Sequence, residues 1–445
     1  MQQQVGGLSA LLSFTAANAR SYRDEVRINL LASQFAEDGV VRELDIAGHT
    51  RSVKVLPAAG IFGANASGKT TLLRVMNDMR SAVLHSFGSH GPGAAIAWRP
   101  FRLDASSACR PTRLEVDLII DGIRWQYGME VNETVNHEYA YSFPKGRQAL
   151  LFQRDESSID YGPSMRAMRD VLGAFVRPQT LVLSTVGGFD DRDIHPLSPL
   201  YRWFEHNLAF VGADSRDIRL LRLAQLFEDT GRRGRATALV RAADLGITEV
   251  EIVETELDGE AHDQVRALME VMLGSDNPLT ATEDFPPMRR VRLRHCGRDD
   301  EVSLELEDES QGTVVWLGLS AAVLDALAGG HVLLVDELDA SLHPDLVRRI
   351  VELFQAPHHN PRMAQLVFNA HEVELLGDTE QRDIGRDQLW LTQKDDDGAT
   401  TVSQAIDYRP RKDVSLRRSY LQGRYGGVPD LDAAAFEQAS AEAIS

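Results

Sequence analysis

The sequence predicts a mixed α/β fold with an N-terminal antiparallel β lobe, a core sheet and a helical insertion. Three observations support this prediction. A strand, a glycine-bearing loop and a helix follow one another within residues 52–76. A short apolar strand, Val332–Val335, ends at an acidic pair. Alternating strands flank a polar turn at 18–24 and an Asp121-Gly122 turn, which indicates hairpins on both sides of the glycine loop.

Composition limits the function classes. The 445 residues are 43% hydrophobic and 25% charged, values typical of globular chains. The net charge of −19 opposes indiscriminate binding to nucleic acid or to anionic membranes. Cys109 and Cys296 are far apart and have neither zinc-site nor CxxC spacing. No run of 18 apolar residues and no export signal is found, so we expect a cytoplasmic protein without a membrane span.

The loop Gly63–Thr70, hereafter the phosphate loop, reads GANASGKT and satisfies the pattern GxxxxGK[ST]. Its glycines let backbone N–H groups curl around a phosphate, and the helix that follows adds its dipole. Lys69 would bridge the β- and γ-phosphates, and the Thr70 hydroxyl would bind Mg²⁺. We expect an ATP and Mg²⁺ site here, with Asn65, Ser67, Gly68 and Thr71 in its binding shell. The alternative is a strand-turn-helix with a coincidental glycine pair, and the flanking strand and helix argue against it.

A second carboxylate site is expected at the end of Val332–Val335. Strand ends at this edge of α/β sheets bind ligands. Asp336 would hold Mg²⁺ through water, and Glu337 would polarise the water that attacks the γ-phosphate. The alternative is a strand-end turn with solvated charges.

Several stretches together carry a family resemblance. FGANASGKTTLL, ESQGT at 309–313, HVLLVDELDASLHP and NAHEVELL at 369–376 resemble the ABC-type ATPases of the SMC and OLD-like group. YLQGRYGGVP at 420–429 and DLGITEVEI at 244–252 are similar to the compact ATPases of bacterial abortive-infection and anti-phage systems. The similarity extends from about residue 10 to 430 and is loose in 150–290. The resemblance implies an ABC-ATPase head that hydrolyses ATP to ADP and phosphate.

The resemblance also implies that the ATP site is shared between two copies of the chain. Ser310 and Gly312 would form the signature that contacts the γ-phosphate bound by the opposite subunit. Both residue types are also ordinary before a helix, where they cap it. His371 occupies the position of the family's switch histidine, although a lone histidine at a strand end is more often structural.

Two further positions depart from the family pattern. Asp339–His343 would be the loop that crosses the dimer interface, with His343 where transporter ATPases usually have Asp. Arg20, in NARS at 18–21, matches a basic residue that helps to bind nucleotide, but the usual aromatic is Ala19 here. No glutamine loop is assigned, because nothing chooses between Pro100-Phe101 and Gln126.

The predicted organisation has four parts. Residues 1–149 hold the β lobe and the phosphate-loop half of the head, 150–290 the helical insertion, 291–430 the signature, Walker B and switch half, and 431–445 a flexible tail. The head is expected to form a homodimer or higher oligomer. The insertion and residues 409–424 carry basic residues that could contact a partner or nucleic acid, or lie on a solvated face. They are Arg216, Arg219, Arg222, Arg232, Arg233, Arg235, Arg409, Arg411, Lys412, Arg417, Arg418 and Arg424.

The expected function is an ATPase that regulates a separate effector, a nuclease or toxin, in anti-phage defence. A fused Toprim nuclease needs about a hundred residues after the switch histidine, and only 74 follow His371. KDDDG at 394–398 is expected to be an acidic hairpin turn rather than a metal site. The alternatives are an SMC-like DNA-repair or chromosome-handling ATPase, and a transporter ATPase subunit. The first lacks room for coiled-coil arms, and the second lacks an LSGGQ-like signature. Small-molecule kinases also carry phosphate loops, but they would not need Ser310 or His371, so this class is set aside. The trigger, the effector, the assembly size and the speed of hydrolysis are not predicted.

Overall fold

The chain is described by a computed structural model, which covers residues 8–34, 36, 40–88, 98–188, 195–212, 230–255, 288–297, 301–377, 383–410, 414–429 and 432–442. These residues divide into two compact units. Unit 1 comprises 1–213 and 325–445, and unit 2 comprises 214–324.

A six-stranded sheet in unit 1 carries the phosphate loop. Its spatial order is β11-β15-β16-β5-β17-β18, and all neighbours pair in parallel except the β17–β18 hairpin. The strands β5, β15 and β16 are buried along their whole length, as expected for a parallel sheet covered on both faces. Their bounds are β5 Ala58–Gly63, β11 Leu208–Val211, β15 Val332–Val335, β16 Gln365–Asn369, β17 Leu389–Lys394 and β18 Thr400–Gln404.

The second sheet of unit 1 has seven antiparallel strands in the order β10-β9-β8-β7-β6-β1-β2. The Asp121-Gly122 turn joins β6 to β7, and both residues have positive φ, as a tight hairpin requires. The bounds are β1 Ala10–Ala17, β2 Val26–Asn29, β6 Thr112–Ile120, β7 Ile123–Val131, β8 Val135–Phe143, β9 Ala149–Asp155 and β10 Ser158–Tyr161. A separate two-stranded sheet pairs β3 Arg42–Leu44 with β4 Val53–Val55.

The two large sheets are joined by packing and by one buried amide. The helix α1, Lys69–His85, buries Leu72, Met76 and Met79 in the main core, which also takes residues from both sheets. Gln365 opens β16, and its side chain donates to Leu11 O at 3.0 Å and accepts from Leu11 N at 2.7 Å. Burying this amide is inexpensive because both of its ends are paired. The sheet that carries the site is therefore fixed to the antiparallel lobe.

The remaining helices of unit 1 are short except for one. The helix after the Asp336-Glu337 pair buries Val347, Ile350, Val351 and Phe354, a spacing that gives one apolar stripe. The bounds are α2 Ala105–Ala108, α3 Arg169–Phe175, α4 Val182–Thr185, α5 Ser198–Arg202, followed by one π-helical turn at Trp203–Asn207, then α8 Pro344–Gln355, α9 Leu416–Leu421 and α10 Ala433–Glu442.

Unit 2 contains a helix packed on an antiparallel sheet. The helix α6, Thr230–Ala242, buries Ala236 and Val240 with apolar residues of the sheet. The sheet has the order β12-β13-β14, with bounds Ile247–Thr255, Met288–Cys296 and Glu301–Glu305. The helix α7, Gln311–Gly329, begins in unit 2. Among the described residues only α7 has the length and apolar content of a membrane span, and 61% of it is buried inside the protein, as in a core helix.

The predicted fold class is confirmed, and the helical pattern predicted for 150–290 is right only in part. The segments Ser158–Tyr161, Leu208–Val211 and Ile247–Thr255 are strands. ITEVEIVET alternates apolar and polar residues along most of its length, which is the pattern of a strand. LAFV lies in a stretch with helical spacing, but pairing with β15 makes it a strand. The stretch GRRGR at 231–235, whose arginines and glycines predict a break between helices, forms the first turns of α6.

The structure divides the chain into 1–213 with 325–445 and 214–324. The predicted domain boundaries differ from these limits and stay a prediction. In the predicted flexible tail, Ala433–Glu442 is helical. The glycine-bearing stretch 87–95, whose composition predicts a flexible connection, and the apolar helical spacing at 219–230 lie almost entirely outside the described residues.

Candidate nucleotide site

The phosphate loop connects β5 to α1 through residues that need unusual backbone. Gly68 has φ 107°, and an added Cβ would lie 2.5 Å from Thr400 Oγ1, so only glycine fits here. A Cβ on Gly63 would lie 2.4 Å from the Thr392 carbonyl oxygen. No side chain caps the start of α1, whereas Asp104, His343 and Ser415 cap other helices. An uncapped helix N-terminus behind a glycine turn suits an anion.

Lys69 lies inside the loop rather than on the surface. Its ammonium donates to the carbonyl oxygens of Gly63 at 2.8 Å and Ala64 at 3.0 Å, and the residue is 5% exposed. Burial lowers the pKa of Lys69, and the carboxylates of Asp339, Glu337 and Asp336 oppose this shift. The buried ammonium and three nearby carboxylates therefore share one site.

The acidic pair lies at the carboxyl end of β15, as predicted. The strand β16 lies between β15 and β5. Asp336 is therefore two strands away from the strand that leads into the phosphate loop, and not on the neighbouring strand. Asp336 is 1% exposed, and its backbone N–H donates to Val211 O at 2.9 Å. Glu337 has φ 56°, a left-handed conformation that costs a non-glycine residue free energy and that recurs at functional sites.

Asn369, which ends β16, was not predicted as a site residue. Its Nδ2 donates to Asp336 Oδ1 at 2.6 Å and to Thr70 Oγ1 at 3.4 Å. Its Oδ1 accepts from the backbone N–H of Glu337 at 2.6 Å. The residue is fully buried. A single amide therefore connects the phosphate loop to both carboxylate residues, and the sequence offered only its place at the end of a buried strand.

Asp339 connects the loop after the acidic pair to the predicted switch segment. Its Oδ2 accepts from the backbone N–H groups of His371 at 2.7 Å and Glu372 at 2.6 Å. His371 itself is exposed. His343 caps α8, because its Nδ1 accepts from the N–H of Asp345 at 3.2 Å. The imidazole thus does the capping that Asp does more often.

The predicted signature residues lie at the start of α7, in unit 2. Ser310 Oγ accepts from the N–H of Thr313 at 3.1 Å, so the capping interpretation is realised. Ser310 is exposed and Gly312 is partly exposed. The preceding Glu309 is held by His295 Nε2 at 2.6 Å. Capping leaves the serine hydroxyl at the surface of its unit, where it can also reach an anion.

Arg20 is not aimed at the phosphate loop. Its guanidinium makes a bidentate pair with Asp78 at 2.7 and 2.9 Å. Asp78 is nine residues beyond Lys69 on α1, about 13 Å along the helix. The nucleotide role implied for Arg20 stays a prediction. In the structure the charge of its guanidinium is paired with Asp78.

The other predicted features have mixed outcomes. KDDDG is a hairpin turn between β17 and β18, as predicted. Two of its carboxylates, Asp395 at 2.9 Å and Asp397 at 2.8 Å, pair with Arg23. The glutamine loop stays open, since Gln126 bonds Glu115 and Phe101 is buried.

More than half of the predicted basic contact residues cannot be placed. Outside the described residues lie Arg216, Arg219, Arg222, Arg411 and Lys412, and also the side chains of Arg232 and Arg233. Arg235, Arg409, Arg418 and Arg424 are exposed, and Arg417 is partly exposed.

The donor set fits ATP with Mg²⁺. Thr70 Oγ1 and Asp336 Oδ1 both lie within 3.4 Å of the Asn369 amide nitrogen, and a hydroxyl with a carboxylate suits Mg²⁺. No group of three or more His, Cys, Asp or Glu side chains that could hold a metal by itself occurs in the described ranges.

A phosphate loop, an acidic pair on a buried parallel strand and a large antiparallel lobe define an ABC-type ATPase head of the SMC and OLD-like group. Residues 58–377 match the family described as "AAA domain, putative AbiEii toxin, Type IV TA system". The chain belongs to this family. No curated protein matches the sequence.

Solved structures of heads from this group are similar at low identity. An SMC head bound to the C-terminal winged-helix domain of ScpA is 12% identical, with 92% of this chain and 99% of that chain covered and a TM-score of 0.38. The SMC head domain from Thermotoga maritima is 12% identical, with 88% and 98% covered and a TM-score of 0.34. The recombination mediator RecF-ATPrS is 13% identical, with 89% and 99% covered and a TM-score of 0.34. The assignment rests on the family match and on the residues of the site.

Proposed function

We propose that the protein is a cytoplasmic Mg²⁺-dependent ATPase whose heads pair around ATP and regulate a separate effector. The single observation that carries the enzymatic part is the Asn369 amide, which bonds Asp336, Thr70 and the N–H of Glu337. Such preorganisation of groups around a reaction centre is the main source of catalysis in phosphoryl transfer.

Each residue has a defined task in this proposal. Lys69 and the N–H groups at the start of α1 hold the phosphates, while Thr70 and Asp336 would hold Mg²⁺, which would supply positive charge beside the phosphates. Glu337 accepts a proton from the attacking water. His371, positioned through Asp339, senses the γ-phosphate. Arg20 stabilises α1 through Asp78.

The pairing of heads is proposed from the motif order and the exposure of Ser310. Ser310 and Gly312 of one copy complete the γ-phosphate shell of its twin. A hydroxyl and a glycine at the N-terminus of a 19-residue helix can approach an anion closely. Hydrolysis then separates the heads. SMC and RecF heads share the fold, so DNA handling is the competing function.

The effector is proposed to be a separate nuclease or toxin, acting in anti-phage defence. The family description, which names a toxin–antitoxin system, supports this assignment. The chain provides a head with a second unit at 214–324, where a partner could bind. Nucleic acid is a secondary candidate partner, through the exposed arginines Arg235, Arg409, Arg418 and Arg424.

Glu337→Gln tests the proposal. Without the base, ATP turnover should fall about 100- to 10,000-fold, and the ATP-bound dimer should accumulate. Phosphate release measures the first effect, and size-exclusion chromatography with light scattering measures the second. Glu352→Gln, which removes an exposed carboxylate on α8, is the matched control and should behave as wild type.

Normal turnover by Glu337→Gln would show that the assigned base is wrong. Loss of turnover without any ATP-dependent dimer would reject the pairing of heads. DNA-stimulated turnover, with no effector protein recovered with the tagged chain, would favour the SMC-like alternative.

A further inference from the structure

Two tyrosines from opposite ends of the chain contact the two glycines of the phosphate loop. Tyr22 lies in the turn between β1 and β2, and its hydroxyl donates to Gly68 O at 2.9 Å. Tyr420 lies on α9, and its ring packs edge-on against Phe62, the residue before Gly63, with 6.4 Å between ring centroids. Nearly four hundred residues separate these tyrosines in sequence, yet both meet one six-residue turn.

Tyr420 acts together with the turn that follows it. Its hydroxyl donates to Gly427 O at 3.1 Å. Gly427 has φ 73°, and a Cβ built on it would lie 3.4 Å from Gly63 Cα. Burial raises the pKa of Tyr420, and the N–H of Gly63, which faces the phenol oxygen, opposes that rise. The segment 420–427 therefore forms a wall against the first glycine of the loop.

Two threonines of the β17–β18 hairpin complete the support. Thr392 Oγ1 bonds Ser67 Oγ at 2.6 Å, and Thr400 Oγ1 bonds Ser21 Oγ at 2.8 Å beside Gly68. Glycine-rich turns lose more conformational entropy on ordering than other segments. A turn held in shape before ligand binding does not incur that cost when the ligand arrives.

We propose that Tyr22 and Tyr420 are positioning residues that hold the phosphate loop in its nucleotide-binding shape, one at each glycine. The proposal rests on the proposed ATPase function. It predicts an effect on nucleotide affinity rather than on the chemical step, because Asp336 and Glu337 are held independently by Asn369. It also gives the YLQGRYGGVP segment a role in the ATP site.

The test removes each hydroxyl and keeps each ring. In Tyr22→Phe and Tyr420→Phe we expect the KM for ATP and the calorimetric Kd for MgADP each to rise about 5- to 10-fold, with kcat within about twofold of wild type. Tyr141→Phe is the control, since it removes a hydroxyl that bonds Gln153 in the antiparallel sheet, and it should change neither constant. Thermal unfolding of all variants identifies any general loss of stability.

The outcomes separate the two proposals. A wild-type chain that binds neither ATP nor ADP overturns the proposed function and this inference together. A wild-type chain that binds nucleotide, with KM and Kd unchanged in both variants, overturns only the inference, even if the variants melt at lower temperature. If Tyr420→Phe does not fold, Tyr22→Phe decides alone, and an unchanged Kd in that variant overturns the inference.

Discussion

The phosphate-loop region and the Ser310 region are held in place in different ways. Around the loop, side chains far apart in sequence bond one another, such as Asn369 with Thr70 and Tyr22 with Gly68. Around Ser310 the bonds join Ser310 to Thr313 and Glu309 to His295. The side chains of Asn369, Lys69 and Tyr22, which bond the loop, are buried, whereas Ser310 is exposed.

This difference indicates two kinds of function. A buried, cross-linked set of groups is preorganised and can hold a charged ligand at low entropic cost. The exposed Ser310 and the partly exposed Gly312 at a helix start contribute one cap to the stability of their own unit. They are suited to a ligand brought by another molecule. This difference supports the proposal that a second copy of the chain completes the site.

Mixing two inactive variants should give the largest effect. Lys69→Met removes the phosphate-binding ammonium, and Ser310→Arg places a bulky cation in the signature, so each should reduce turnover at least about 100-fold. In a mixed dimer one of the two shared sites contains neither change. Equimolar mixing should therefore restore about a quarter of wild-type turnover, because half of the dimers are mixed.

The control mixes Lys69→Met with Glu337→Gln. Both changes lie in the same half of the site, so every shared site carries a defect and no turnover should return. If the Lys69→Met and Ser310→Arg mixture also stays inactive while native mass spectrometry detects mixed dimers, the site is not shared.

Asn369→Ala tests whether the buried amide in unit 1 serves the reaction or only the fold. The variant frees Asp336 and Glu337 from their common amide, and we expect turnover to fall about 100-fold and the free energy of unfolding to fall by about 1–3 kcal/mol. Asn360→Ala is the matched control. Asn360 is equally buried and makes three hydrogen bonds, to Phe354 and Ala364, away from the site. It should lose similar stability and keep turnover per folded molecule. Equal loss of turnover in both variants would reduce Asn369 to a structural role.

Local patterns were sufficient to predict the phosphate loop and the acidic pair. The glycine spacing and the four apolar residues before Asp336 are consequences of geometry that any such site needs, so they are readable in one sequence. The hairpin at Asp121-Gly122 and the long helix ending at Gly329 follow from turn chemistry and apolar length.

What could not be predicted depends on strand order. Asn369 matters because β16 lies between β5 and β15, and no local pattern states that order. Tyr22 and Tyr420 reach the loop only through the fold. Arg20 matched a motif by position, yet its partner Asp78 is set by how β1 and α1 pack. The segment Leu208–Val211 has apolar residues at helical spacing, but it forms a strand because it pairs with β15.

The smallest effect concerns the stability cost of Lys69. Because burial lowers its pKa, the folded state disfavours the charged lysine relative to the unfolded chain. The penalty is complete below the folded-state pKa, shrinks as the pH rises towards 10.5, the ordinary pKa of a lysine, and is absent above it. Lys69→Met should therefore raise the free energy of unfolding at pH 7 by on the order of 1 kcal/mol, and the gain should narrow as the pH rises towards 10. Urea unfolding at several pH values measures it, with Lys54→Met as the control for removing an exposed ammonium. If Lys69→Met is instead less stable than wild type at pH 7, the ammonium stabilises the loop. Burying the charged lysine would then carry no net cost in folding free energy.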